Sequence, residues 1–493
     1  MFNPRGPRKN GNSTKTGIQL RVVARCFCAT SQEVALVPAP RSGFLHASMP
    51  TIASTSRTSS SAYAGSAQRP LAYCGTMKKK LAIVQLARHR EPALLVSGQT
   101  ISNFGDGVAL VALTLLVLDT THSVTKLAWF AAARMTPLVA FLLVGGAIVD
   151  RFSRRVLLII SDVARAVLTA VLVVMIASGL LRFWELIIFA ILFGCFDAFF
   201  FPAMSALTPE IVPQELLPAM NAVRPLANNL MGSMIGPAVG GILAAISTSL
   251  AIGVDCATFV VSATALLLMK PTPKPVRNEA NSMLSDIKEG VHFVRQTRWL
   301  WTTLLGVALV NAFLFSPMFV LIPFFLRHNL HLGKDYVGFA IAASGVAGAI
   351  GALVTANLPL PKRRVRVMWT YWTIGTLAAL IMGFATNFWE IIIFPIIASP
   401  MMIFGNVIWE SMMQSEVPRE LLGRASSVDW FVSLGITPLG LVIAGEIANY
   451  VGVRTYFVVL SVVCVLPGLY ILKSKRINAI DAPRVNPALA GEH

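Results

Sequence analysis

Long apolar runs dominate the hydropathy pattern of the chain, and polar positions collect in short stretches between them. Runs of roughly 20 residues recur from about residue 93 to residue 472, and each is long enough to cross a ~30 Å hydrocarbon layer as a helix. The pattern predicts twelve transmembrane helices. Their expected bounds are 94–118, 127–149, 156–178, 184–206, 224–246, 251–269, 299–326, 337–358, 367–385, 389–412, 426–447 and 453–472.

The polar stretch at 270–298 divides the predicted helices into six and six, and its apolar positions recur at the spacing of an amphipathic helix. The halves also repeat, because Val212-Pro-Gln-Glu-Leu-Leu217 before the fifth span matches Val417-Pro-Arg-Glu-Leu-Leu422 before the eleventh. Two parallel halves with a site between them at the midplane suit a rocking transporter. The expected domains are an N-terminal tail at 1–76, a first half at 77–270, a cytoplasmic linker at 271–298, a second half at 299–473 and a cytoplasmic tail at 474–493.

Composition agrees with this pattern, since 55% of the residues are hydrophobic and 13% are charged, against about 25% charged in soluble proteins. A soluble enzyme, a secreted disulfide scaffold and a disordered protein are therefore excluded. The six cysteines are scattered and lack the spacing of a zinc site or a disulfide framework. The sequence predicts an all-α polytopic membrane protein with twelve transmembrane helices in two six-helix halves, without a metal or cofactor.

Residues 1–76 carry nine Lys or Arg and one acid, and they contain no apolar run of spanning length. This composition is typical of an organelle targeting segment. The alternative is a disordered or mis-assigned tail, because Met77-Lys78-Lys79-Lys80 would make an ordinary start for a bacterial membrane protein. Both interpretations predict that the tail does not carry the function.

Positive charge falls mainly on one side of the predicted spans, with sixteen Lys or Arg in one set of loops and five in the other. Since positive loops stay in the cytoplasm, the linker and both termini are expected there, with the chain in the inner (plasma) membrane. The tail supplies +8 of the net charge of +18, and this bias accounts for most of the remaining +10, so no nucleic-acid partner is predicted.

A charged loop after the second span reads Gly146-Ala-Ile-Val-Asp150-Arg151-Phe-Ser-Arg154-Arg155. Gly146 allows close helix approach, Asp150 can cap the next helix, and the arginines can pair with acids on a neighbouring helix end. Here the sequence resembles the major facilitator superfamily, whose signature between spans two and three is G-x-x-x-D-R-x-x-R-R/K. The resemblance implies a gating loop, and the alternative is a loop that only sets topology.

The fifth span contains a second motif, formed by Gly232, Gly236, Pro237, Gly240 and Gly241. Pro237 removes one helical hydrogen bond and bends the helix, while glycines four residues apart leave a flat face. The motif is similar to G-x-x-x-G-P-x-x-G-G of antiporter branches of the superfamily, and a plain packing face is the alternative. Further short segments extend the resemblance to about residues 88–475, towards the branch of drug and siderophore exporters that includes macrolide efflux and enterobactin export proteins.

Charged residues inside the spans are the main candidates for a proton or substrate site, because each costs about 2.5–3.5 kcal/mol or more unless paired or hydrated. Asp106 is expected to couple protons or contact a cationic substrate, or else to form a salt bridge with Arg134. Asp162 and Arg165, three residues apart, can pair along one helix face. The candidate set is Asp106, Arg134, Asp162, Arg165 and Asp197. Four acids nearer to span ends are expected at the membrane interface: Asp255, Glu410, Asp429 and Glu446.

The predicted function is export of hydrophobic or amphipathic small molecules by proton antiport and alternating access. The expected partners are a small-molecule substrate of the drug or siderophore class, protons as the coupling ion and the lipid bilayer, with the chain as a monomer. No phosphate-binding loop of the G-x-x-x-x-G-K-S/T kind occurs, which argues against an ATP-driven pump. The alternatives are an uptake or lipid-moving transporter of the same fold, a non-transporting sensor and a membrane enzyme. The enzyme is disfavoured because all seven histidines lie outside the span centres.

Overall fold

The computed structural model describes residues 86–142, 153–271, 283–355 and 357–474. Several features predicted from the sequence lie outside the described residues. They are the tail at 1–76, the loop residues Gly146, Asp150 and Arg151, and most of the tail at 474–493.

The described residues form an all-helical protein, with no strand in any of the four ranges. Eleven helices in these ranges are long and apolar enough to cross a membrane. A further helix of 19 residues occupies the described part of the predicted second span. The helices are α1 Arg90–Thr121, α2 Val124–Leu142, α3 Arg154–Ala177, α4 Phe183–Ile211, α5 Ala219–Ile246, α6 Thr248–Leu268, α7 Met283–Gln296, α8 Arg298–Asn329, α9 Lys334–Thr355, α10 Arg364–Phe384, α11 Phe388–Glu416, α12 Leu421–Val451 and α13 Val453–Lys473.

The fold predicted from hydropathy is confirmed, and the helices extend past the apolar runs by a few residues at their ends. The largest extensions are the end of α4 and the starts of α5 and α12, at five residues each. Gly452 adopts a φ of 86°, which favours glycine, and it separates α12 from α13. The amphipathic segment between the halves forms α7.

Small residues allow the helices within each half to pack closely. In the first half (α1–α6), a Cβ at Gly98 of α1 would lie 2.9 Å from the Cβ of Ala265 on α6. In the second half (α8–α13), a Cβ at Gly351 of α9 would lie 2.7 Å from the Cα of Pro400 on α11. Close backbone approach at small residues is how membrane helices gain packing contacts without help from the hydrophobic effect.

The described contacts between the halves lie at the helix ends that face away from α7 (the distal side) and continue to mid-helix. Asp119 at the end of α1 forms an ion pair with Lys334 of α9 at 2.6 Å and a longer one with Arg327 of α8 at 3.7 Å. The hydroxyl of Thr125 on α2 donates to the carbonyl of Gly445 on α12 at 3.3 Å. The two halves therefore meet on the distal side.

Candidate functional site

Arg165 on α3 is the centre of an ion-pair network buried in the first half. Its guanidinium donates to Oδ1 of Asp162, one helical turn earlier, at 2.5 Å. It also donates to Oδ1 of Asp197 on α4 at 3.1 Å. Asp162 and Arg165 are 0% and 2% exposed, so the pairing predicted from their spacing of three residues is confirmed.

The other oxygen of Asp162 connects the network to α6 and α1. Ser262 on α6 donates its hydroxyl to Oδ2 of Asp162 at 2.6 Å, and Gln99 on α1 donates its amide to the hydroxyl of Ser262 at 3.0 Å. Both carboxylate oxygens of Asp162 are therefore hydrogen-bonded. A buried charge needs such pairing to offset the loss of hydration.

Arg134 on α2 completes the network by pairing with Asp197 rather than with Asp106. Its guanidinium lies 3.2 Å from Oδ2 of Asp197. The salt bridge considered between Arg134 and Asp106 is thus absent from the structure. The reason is that α2 packs against α4, with the carbonyl of Arg134 close to Gly194, and this contact places Arg134 beside Asp197.

Aromatic rings enclose both guanidinium groups. The centre of the Arg165 guanidinium lies 4.4 Å from the ring centroids of Phe200 and Phe259, and that of Arg134 lies 4.7 Å from Phe193. A guanidinium over an aromatic face gains about 0.5–2 kcal/mol, more when desolvated. The network holds two arginines and two aspartates, so its formal charges balance.

Two further acids of the first half have no ion-pair partner among the described residues. Asp106 on α1 is half-buried and makes no hydrogen bond or ion pair with any described residue. Asp255 on α6 is 0% exposed, and neither of its carboxylate oxygens has a hydrogen-bond partner. A Cβ at Gly105 would lie 2.8 Å from Oδ1 of Asp255, so this carboxylate packs against α1 beside Asp106.

Asp255, which was expected near the membrane interface, lies in a buried contact between α6 and α1. Its distance from the helix end suggested the membrane surface, but α6 packs along α1 and buries that face. Asp255 is seven residues after Thr248, about 10 Å along the helix axis. Sequence spacing alone does not report which face of a helix is covered. Glu410 and Glu446 are exposed, and Asp429 is half-buried.

The described arginines of the charged loop hold helix ends together. Arg154 forms an ion pair with Glu210 near the end of α4, as expected for a loop arginine beside a neighbouring helix end. Arg155 donates to the carbonyl oxygens of Leu266 and Leu267 at 2.7 and 2.8 Å, which satisfies backbone groups at the end of α6. The roles of Gly146, Asp150 and Arg151 stay predictions.

The glycine motif of α5 has two faces with different neighbours. Gly232, Gly236 and Gly240 face α1, and a Cβ at Gly236 would lie 2.8 Å from the carbonyl oxygen of Phe104. Gly241 faces α9 of the second half, where a Cβ would lie 3.0 Å from the Cα of Gly338. A π-helical segment, Asn228–Ile235, precedes Pro237, which agrees with a local helix distortion at the proline.

Two cavities occupy corresponding positions in the two halves, on the side of α7. The first-half cavity, about 370 Å³, lies between α1, α4 and α5, and Phe200 and Met204 are part of its wall. The second-half cavity, about 390 Å³, lies between α8, α10, α11 and α12. Its acids and tryptophans were not predicted as a site, because they come from separate helices that only the fold brings together. The residues concerned are Trp372, Trp409, Glu410, Asp429 and Trp430.

Comparisons with known proteins agree with this architecture. A family model described as transmembrane secretion effector matches residues 88–490. The multidrug efflux pump Tap of Mycolicibacterium fortuitum is 29% identical over 409 residues, which cover 80% of this chain and 98% of that protein. Macrolide efflux protein A of Streptococcus pyogenes is 22% identical over 372 residues, which cover 73% and 90%.

Among solved structures, the fold is similar to that of a bacterial homologue of the iron transporter ferroportin in an inward-facing state. The TM-score is 0.60 at 15% identity, and the match covers 79% of this chain and 100% of that chain. The family and these relatives are transporters. On the match that spans most of its length, the chain belongs to the transmembrane secretion effector family of the major facilitator superfamily.

Proposed function

We propose that the chain exports apolar or amphipathic small molecules from the cytoplasm in exchange for protons. The observation that carries the proposal is a charge-balanced ion-pair network flanked by two acids without ion-pair partners among the described residues, Asp106 and Asp255. The names of the relatives, a multidrug efflux pump and a macrolide efflux protein, support export of this substrate class.

Alternating access follows from the contacts between the halves and the bias of positive charge. With α7 and both termini in the cytoplasm, as the Lys and Arg count favours, the distal contacts close the outer side. Both cavities then open to the cytoplasm, which is the state that receives an export substrate. Rocking of one half against the other would separate Asp119 from Lys334 and open the outer side.

We assign the proton step to Asp106. Asp255 packs against α1 beside it. Asn103 lines the first-half cavity, and Asp106 lies three residues further along α1, on the same helix face. This position supports proton exchange between Asp106 and the cavity. A proton on an unpaired carboxylate removes the cost of a charge in the membrane, whereas the acids of the network are already balanced by arginine.

The test uses inverted membrane vesicles that carry a preformed pH gradient, with ethidium and erythromycin as probes. The full chain should release the gradient when a probe is added. Asp106→Asn, which keeps the side-chain volume but does not titrate, should abolish this release while the purified protein still binds the probe. Glu446→Gln, at an exposed acid of α12, is the matched control and should behave as the unchanged protein.

Three results would count against the proposal. Normal gradient release by Asp106→Asn would remove Asp106 from the coupling step. Accumulation of both probes in the direction of uptake, or no movement of either by the unchanged protein, would contradict export of this substrate class.

A further inference from the structure

We propose that the second-half cavity is a binding site for the positively charged group of a monovalent organic cation with an apolar body. The inference rests on the proposed function, because the bound cation would be a transported molecule. It adds a site, a ligand charge and a set of side chains that the proton step does not use.

The size and position of the cavity suit a small-molecule ligand. Its volume of about 390 Å³ falls within the range of roughly 300–1,000 Å³ found for ligand pockets. Its walls come from the linker-side parts of α8, α11 and α12, and Trp372 of α10 is part of the wall. The cavity therefore lies on the same side of the molecule as the first-half cavity.

Two acidic side chains lie in the wall of the cavity, one on α12 and one on α11. Oδ2 of Asp429 on α12 accepts a hydrogen bond from Nε1 of Trp409 at 3.0 Å, and its Oδ1 accepts one from the hydroxyl of Ser433 at 3.2 Å. Glu410 lies next to Trp409 on α11 and also lines the cavity. No Lys or Arg is present among the described side chains of the wall. A bound cation would supply the missing positive charge.

Tryptophan rings supply the second element of cation recognition. Trp409 lies between Trp372 and Trp299, with ring centroids 6.4 and 5.9 Å apart, so its plane is held by neighbouring rings. Trp430 lines the same cavity and is 61% exposed, which leaves its ring free to contact a ligand. Tryptophan is the most favourable aromatic partner for a cation, and an apolar body gains from the same surface.

The first-half cavity shows that this charge pattern is specific to the second half. Its described wall contains Arg224, which donates to the hydroxyl of Thr208 at 3.1 Å, and no Asp or Glu. Its other polar side chains are amides and hydroxyls, including Gln99, Asn103 and Asn228. A cation is disfavoured beside Arg224 and favoured beside Asp429 and Glu410, so the two cavities would orient a bound cation with its charge in the second half.

The experiment measures binding to the purified full chain in detergent with two probes of similar shape. Methyltriphenylphosphonium is a monovalent cation, and triphenylphosphine oxide is its neutral counterpart. We expect Asp429→Asn and Glu410→Gln each to raise the Kd of the phosphonium by about tenfold and to leave the Kd of the oxide unchanged. Asp429→Asn keeps oxygen and volume at the site, and Glu446→Gln, outside the cavity, is the charge-removal control.

A second pair of variants tests the aromatic wall. Trp430→Leu should raise the Kd of the phosphonium severalfold, because the exposed ring is lost without disturbing the core. Trp389→Leu is the control, since Trp389 is 75% exposed and lies outside the cavity wall. An equal rise in the Kd of both probes in Trp430→Leu would show that the ring acts only as a hydrophobic surface. That result would count against cation recognition.

The outcomes separate this inference from the proposed function. Equal affinity of the unchanged protein for both probes, or unchanged phosphonium binding in both acid variants, would overturn the cation site. Erythromycin-driven release of the pH gradient by those same variants would leave proton-coupled export standing. Selective phosphonium binding in a protein that moves no probe in vesicles would support the site and contradict the export proposal.

Discussion

At the scale of single residues, the acids of the first half fall into two kinds that the sequence does not distinguish. Asp162 and Asp197 are paired with arginine, whereas neither Asp106 nor Asp255 has an ion-pair partner among the described residues. All four were visible as charges within or near apolar runs. Their different surroundings follow from which helix covers each face, and this difference separates structural acids from candidates for proton exchange.

Asp162→Asn should lower the stability of the protein strongly. The change removes one of the two carboxylates that balance Arg165, and breaking a buried pair from one side costs about 3–5 kcal/mol. The measurement is thermal unfolding in detergent, with Glu446→Gln as the exposed control. A midpoint equal to that of the control would show that Asp162 does not compensate Arg165.

Asp255→Asn, in contrast to Asp162→Asn, should leave the stability of the protein unchanged or raise it. The carboxylate of Asp255 is buried without a hydrogen bond, so an ionised form loses its hydration without gaining a hydrogen bond in return. The same unfolding measurement applies, in parallel with Asp162→Asn. A fall in the unfolding midpoint as large as that caused by Asp162→Asn would reveal a stabilising partner for Asp255.

At the scale of secondary structure, α5 contacts α1 of its own half and α9 of the other half through different glycines. The antiporter-like motif was predicted as a flat face, and the structure confirms close approach at Gly232, Gly236 and Gly240. Only Gly241 of the motif faces Gly338, so this position, rather than Gly236, is the motif glycine at the contact between the halves. The gating role of the motif stays a prediction.

Gly241→Leu should weaken the distal contact between the halves, whereas Gly236→Leu should weaken the first half itself. Each added side chain meets backbone atoms at about 3 Å, and overpacking of this kind costs about 1–3 kcal/mol. We expect Gly241→Leu to slow efflux with little change in the unfolding temperature, and Gly236→Leu to lower that temperature.

Gly253→Leu is the control for both changes, because nothing lies within 4 Å of a Cβ at Gly253. Efflux should be unaffected by it. Unchanged efflux in Gly241→Leu would mean that α5 and α9 separate freely during transport.

At the scale of the whole molecule, the distal side is held by the ion pairs of Asp119 with Lys334 and Arg327. His122 of the first half and His328 of the second half also meet there, with ring centroids 6.2 Å apart. These contacts cross between the halves, so they bias which side of the transporter is open. The side chains of the two ion pairs are partly exposed. Each ion pair therefore stabilises the contact by about 0–1 kcal/mol.

Asp119→Asn removes both ion pairs and should shift the population towards the form open on the distal side by up to about thirtyfold, the equivalent of roughly 2 kcal/mol. Spin labels at positions 121 and 331 would report the shift as longer distances between the halves. Glu446→Gln, also near the distal end of its helix, should leave the distance distribution unchanged. Identical distributions for Asp119→Asn and the unchanged protein would show that the ion pairs do not hold the halves together.

The fold was largely predictable, because membrane helices follow from local properties of the chain. A run of roughly 20 apolar residues forms a helix in lipid whatever its neighbours are, since the backbone must satisfy its own hydrogen bonds. The pairing of Asp162 with Arg165 was predictable for the same reason, as both lie on one helix. The candidate site was predicted only in part, because Arg134 pairs with Asp197 and Asp255 is buried.

The sequence by itself therefore determined the membrane helices, their division into two halves, the family and the presence of charges that need partners. Only the tertiary structure decided which charges are paired, which glycines contact the other half and which side of the molecule is closed. It also brought Trp372, Trp409, Glu410, Asp429 and Trp430 together around one cavity from three helices. The physical reason is that spacing along a helix determines which residues share a face, whereas the partner of that face depends on packing between helices distant in the chain.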